Sequence, residues 1–207
     1  MTARTNRLSL LRALVALVGV GCLALATGAV AGAARPQGAS CQPNGGGAIC
    51  RSTEIIPAAA APEDIGIVCG SGADAFDIYD QPGVHTEART EWYDENWNLT
   101  FREDHDVYRG GQWSNPTTGA IVPYTQHNTE IDRFPVPGDF TTATITFTGE
   151  NIYRPPTGKP VLLEVGQQVF NFDDDLLYAH GRNELIGALY GLDPHGLDGI
   201  CAALGAS

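Results

Sequence analysis

Strict alternation of side-chain type leaves a backbone few options, and this chain alternates from Val84 to Tyr93. The even positions Val84, Thr86, Ala88, Thr90 and Trp92 are apolar or small, and His85, Glu87, Arg89 and Glu91 lie between them. Successive side chains of a strand point to opposite faces, so the pattern predicts a half-buried strand with the even set facing in. Asp94-Glu95-Asn96 supplies turn chemistry. A second strand follows in which Trp97, Leu99 and Phe101 face in and Asn98, Thr100 and Arg102 face out, with Trp92 opposite Trp97.

The alternation continues toward the C-terminus. Asn115-Pro116-Thr117-Thr118-Gly119 reads as a turn, and the strand from about Ile121 to Phe134 has polar even positions (Gln126, Asn128, Glu130, Asp132), which puts its odd positions inside. Phe140 to Thr148 alternates Ala143, Ile145 and Phe147 with four threonines. Val161 to Phe172, with Gly166 expected to mark a bulge, leads through Asp173-Asp174-Asp175 to Leu176 to His180. Strands joined by short turns predict an all-β fold. It is expected to be an antiparallel meander closed as a barrel or folded as a sandwich, with a short C-terminal helical turn from Asp198 to Leu204.

Ahead of this lies an export signal. Arg4, Arg7 and Arg12 precede the apolar stretch Ala13 to Ala26, and Ala31-Gly32-Ala33-Ala34 follows, so residues 1–33 read as a signal peptide cleaved after Ala33. The apolar run is broken by Gly19 and Gly21 and is shorter than the roughly 20 residues of a spanning helix. Residues 34–64, with Asn44-Gly45-Gly46-Gly47 and a Pro57 to Pro62 stretch of alanines between prolines, read as a flexible Gly/Pro/Ala-rich tether carrying a disulfide loop. Residues 65–207 are long enough for one β domain.

Export places Cys41, Cys50, Cys69 and Cys201 in an oxidising compartment, where four cysteines read as disulfides with three possible connectivities. The favoured one joins Cys41 to Cys50 and Cys69 to Cys201. Removing the leader takes three of 12 basic residues and none of 24 acidic ones, leaving a net charge of −15. Nucleic acid is thereby excluded as a partner, and the membrane is not expected to be one after cleavage, because both demand a basic surface. The expected location is outside the cell, secreted or associated with the envelope.

The order of the parts resembles a group of exported actinobacterial β-rich proteins of unknown function. The shared parts are a strand ending in Cys69-Gly70, a Tyr93-Asp94 turn before Trp97-Asn98, the Asn115-x-x-x-Gly119 turn, Thr148-Gly149, Phe172-Asp173 and Cys201-Ala202-Ala203-Leu204. The resemblance implies a secreted β domain with a Cys69 to Cys201 bridge, and no activity.

No Gly-x-Ser-x-Gly elbow, phosphate loop, dinucleotide fingerprint or His-Glu-x-x-His motif occurs, so no catalytic residue is assigned and no cofactor or metal is called for. One cluster stands out. If Trp97, Leu99 and Phe101 face in, so do Glu103 and His105, and a turn centred on Pro116 sets His105 opposite His127. Buried without partners these groups would be costly, so they would pair, line a ligand pocket, or hold a metal. A bulge near Glu103 would turn them outward. The expectation is a non-catalytic module binding a small-molecule ligand or a cell-envelope component, with Glu103, His105, His127, Trp92 and Phe101 as candidate ligand-binding residues. The alternatives are an enzyme or metal site built on Glu103, His105 and His127, and an envelope-associated structural protein without a pocket.

Overall fold

The computed structural model describes residues 36–205. The expected signal peptide, 1–33, lies outside the described residues. Ten strands form one antiparallel sheet: β1 (Ser40–Asn44), β2 (Gly47–Ile56), β3 (Glu63–Cys69), β4 (Phe76–Gln81), β5 (Val84–Tyr93), β6 (Leu99–Ser114), β7 (Ile121–Arg133), β8 (Thr144–Tyr153), β9 (Leu162–Asn171) and β10 (Leu176–Asn183). Two short helices follow, α1 (Glu184–Leu189) and α2 (Asp198–Leu204). The main order is β1-β2-β5-β6-β7-β8-β9-β10, with β4 pairing both β3 and the end of β6.

The fold is the all-β antiparallel meander, but the sheet is neither closed as a barrel nor doubled as a sandwich. β1 and β10 stand at opposite ends of the path. The inner side is filled instead by the β3–β4 hairpin and by the helices, α1 packing on β9 and α2 on β7. Ile65, Ile67, Ile78, Trp113, Val122, Leu162, Ile200 and Leu204 make the main core there. A smaller cluster of Leu99, Phe134 and Ala143 lies toward the other end of the strands.

The segment read as a tether belongs to the sheet. Gly45 and Gly46 both adopt positive φ, which closes the tight hairpin between β1 and β2. Along β2, Ala48 and Cys50 are buried, and the strand pairs with β5 from Ala48↔Tyr93 to Ile56↔His85. Low hydrophobicity misled because two residues of the right turn type were enough to fold the segment back on a strand with free hydrogen-bonding groups. Cys41 and Cys50 are directly paired across the hairpin and bonded, and Cys69 of β3 is bonded to Cys201 of α2. Among the described residues no helix is long and apolar enough to cross a membrane.

Two bulges in β6 decide which side chains face in. Trp97 has φ 63° and belongs to the turn, where Asp94 Oδ1 accepts from the backbone of Asn96 and Asn98 at 2.9 and 2.8 Å. Trp92 therefore faces Phe101, not Trp97, while Tyr93 faces Leu99. Thr100 is the extra residue, its hydroxyl donating to the Trp92 carbonyl at 2.9 Å. Leu99 points in, and every later side chain has changed face. A second register shift between Tyr108 and Gly111 returns Trp113 to the inside. Gly166 marks no bulge: it pairs in register with Gly149 and with Gly181.

Candidate functional site

The change of face gives the inner side of β5, β6 and β7 a charged strip between two apolar clusters. It comprises His85, Glu87 and Arg89 of β5, Arg102, Asp104 and Asp106 of β6, and Asn128, Glu130 and Asp132 of β7. Arg89 holds Asp104 with two bonds, of 2.8 and 3.1 Å, and contacts Glu87 at 2.7 Å. Arg102 bonds Glu130 at 3.2 Å and Asp132 at close range, and its Nε lies 3.4 Å from Asp104. Glu87, Asp104, Glu130 and Asp132 thus share two guanidiniums. Burial, and the proximity of Asp132, push Glu130 up from the usual carboxylate range, against the pull of Arg102. Burial likewise raises Glu87 and Asp132.

At one end of the strip His85 Nε2 donates to Asp106 Oδ1 at 2.7 Å, and its ring stacks on Tyr108 with centroids 4.0 Å apart. One ligand atom from each of His85, Glu87 and Asp106 lies within 4.8 Å of the others. These residues are 5%, 9% and 1% exposed. An imidazole with two carboxylates is a donor set that suits a divalent transition-metal ion.

The strip runs into a cavity. Glu87, Asp106, Asn128, Gly149 and Gly166 form one cross-sheet row, each the register partner of the next. The two glycines present no side chain, and above them, roofed by α1, lies a cavity of about 110 Å³. Its wall is aromatic. Tyr153 packs against Trp113 and Tyr124, with centroids 4.5 and 5.1 Å away, and Phe170 packs against Phe147 and Tyr190 at 5.8 and 6.0 Å. The ring of Tyr124 lies over Gly111, where a β-carbon would come within 2.3 Å of it.

Two carboxylates are set in this wall. Asp80, on β4, is 3% exposed; its Oδ2 accepts from the Tyr124 hydroxyl at 3.5 Å, and its Oδ1 has no partner. Glu164, on β9, accepts from the backbone N–H of Leu185 and, at 3.3 Å, of Ile186, capping α1, and from Gln168 Nε2 at 2.9 Å. Burial pushes each up to about 7, against the Tyr124 bond at Asp80 and the backbone bonds at Glu164. Asn151 Oδ1, also lining the cavity, is buried without a partner.

The residues singled out from sequence lie on the other face. Glu103 and His105 do meet, at 2.9 Å, but are 32% and 57% exposed, and His105 faces Thr129 while His127 faces Val107. The register differs from the expected one because the turn is centred between Thr117 and Thr118, with Ser114 opposite Ile121, and not on Pro116. Trp92 and Phe101 pack edge to face at 4.8 Å, with the Arg133 guanidinium 5.1 Å from the Phe101 ring centroid, away from the cavity. Of the side chains expected inside, Phe147 lines it. The alternation of His85, Glu87 and Arg89 was the available signal for the strip, read as a solvent face. Asp80 and Glu164 carried no pattern of their own.

No protein-family model, curated protein or solved structure matches this chain.

Proposed function

We propose that this chain is an exported binding protein that takes a small ligand into the cavity between β7–β9, β4 and α1. The observation that carries the reading is the unpartnered Oδ1 of Asp80, an acceptor buried in the cavity wall. A buried acceptor without a donor costs about 1 to 3 kcal/mol, and a ligand donor is what relieves that cost. The aromatic wall supplies contact area, and a few polar groups set orientation, the usual composition of a small-molecule site. Two disulfides, the acidic composition and the resemblance to exported actinobacterial β proteins support an extracellular setting. The test is protein-observed NMR of the secreted protein, titrated with a library of small polar compounds. Hits that shift the Trp113 indole signal support the reading; an unperturbed Trp113 across the library refutes it and favours an envelope protein without a pocket.

A second reading rests on His85, Glu87 and Asp106, whose ligand atoms converge as stated. They would hold a divalent ion, with Arg89 free to move from Glu87 to Asp104 alone. Titration with Zn²⁺ and Mn²⁺, compared with His85→Ala, tests it. Saturable binding lost in the variant supports the reading, and identical isotherms end it.

A further inference from the structure

We infer that the occupant of the cavity is a small organic ammonium, a primary or secondary amine in its charged form, whose N–H groups bond Asp80 and Asn151. This rests on the ligand-binding reading above and names the chemical class.

Four observations converge. First, the two atoms of the cavity wall that lack partners, Asp80 Oδ1 and Asn151 Oδ1, are both acceptors, so the occupant must donate. Second, both ionisable carboxyls of the wall are acids, and no Lys, Arg or His lines the cavity among the described residues. An anion entering would meet Asp80 and Glu164 with nothing to neutralise it. Third, Tyr108, Trp113, Tyr124 and Tyr153 line the space, and an aromatic lining favours a cation over a neutral group of the same shape. Fourth, the strip that continues into the cavity has more carboxylates than guanidiniums, which lowers the potential for any cation approaching along it. The volume, about 110 Å³, is somewhat below the roughly 150 Å³ that accommodates benzene, so the occupant has about half a dozen heavy atoms.

Neutral or charged, Asp80 sits among Tyr124, Tyr108 and Tyr153, with Glu63 in range, and Glu164 faces Glu184 and Tyr153. An arriving ammonium draws both carboxyls into the ionised form. Binding therefore releases protons near pH 6.5 and tightens as pH rises to 8.

The experiment uses the full secreted chain with its disulfides intact. Calorimetric titrations at pH 6.5 and 8 compare cyclopentylammonium with cyclopentanol and with cyclopentanecarboxylate, while the Trp113 indole signal is followed by NMR. The expected result is ammonium binding at least ten times tighter than the alcohol, no carboxylate binding, and proton release at pH 6.5. Asp80→Asn should weaken the ammonium at least tenfold and the alcohol by less. Should that variant not fold, the wild-type proton release and the three-ligand ranking decide the matter alone. Alcohol binding as tightly as ammonium, with Trp113 shifted, overturns the ammonium class while the cavity remains a binding site. Silence of Trp113 toward all three and toward the wider library removes both readings.

Discussion

Gly149 of β8 and Gly166 of β9 are register partners, and each lets a neighbouring carbonyl approach where a β-carbon would stand. A β-carbon at Gly149 would fall 2.1 Å from the His127 oxygen, and one at Gly166 2.0 Å from the His180 oxygen. Since both obstacles are backbone, no side-chain adjustment clears them. Gly149→Ala should cost about 3 kcal/mol or more, lowering Tm by roughly 6 to 12 °C. Gly72→Ala, at φ 64° in open space, should cost only about 1 kcal/mol. Equal thermal shifts for the two would refute a steric role for the glycine row.

Arg102 is the shared partner of Glu130, Asp132 and Asp104. Replacing it by Met leaves three largely buried acids with only Arg89 nearby, an expected loss of about 3 to 5 kcal/mol. Acid relieves the loss, because Glu130 and Asp132 are already displaced toward the protonated form. Urea midpoints at pH 5.5 and 8 check this: the deficit of Arg102→Met should be smaller at 5.5.

Asp80 makes stability depend on pH in a fixed direction. Folding raises its pKa from 3.8 to about 7, so the native state holds the proton more tightly than the unfolded chain. Its contribution is fully present below pH 4 and is lost as pH rises through 7. At about 1.4 kcal/mol per tenfold in proton affinity, the ceiling is about 4 kcal/mol. Asp80→Asn should therefore gain on the wild type as pH climbs from 4 to 8. A difference in unfolding free energy that stays flat across that range would refute the displacement.

The two disulfides should differ in consequence. Cys69–Cys201 spans 132 residues and ties β3 to α2, so its chain-entropy contribution is about 5 kcal/mol; Cys41–Cys50 spans 9 and contributes about 2.5 kcal/mol. Removing the first should lower the global unfolding midpoint. Removing the second should speed hydrogen exchange in β1 and β2 while leaving Trp113 and Val122 protected.

Alternation located the strands well: Val84–Tyr93 is β5, and Ile121–Arg133 is β7, one residue short of the expected end. What alternation could not supply was the face. On β5 the small, apolar even set looked like the interior, yet His85, Glu87 and Arg89 are the inner set because β6 answers them with Asp104 and Asp106. A charged row is a plausible interior only once both strands are seen together. On β6 one residue, Thr100, carried the decision. A bulge there leaves no mark in a sequence whose residues on either side alternate equally well, and it moved Glu103 and His105 to the outer face. The cavity was less legible still, since it joins Asp80, Tyr124 and Glu164 from three strands scattered along the chain.

The open sheet leaves unpaired backbone groups along β1 and β10, at the two ends of its main path, which invite another chain to add a strand. At one end, β1 is five residues long, carries Pro43 and is bonded to its neighbour through Cys41, so it is poorly placed to peel away and exchange with a second copy. At the other, β10 is irregular between Leu176 and Tyr178 and carries Arg182 near its end. The bridge in the short hairpin is thus as much a guard against polymerisation as a brace for the fold, and its reduction should show first as higher-order assembly on ageing.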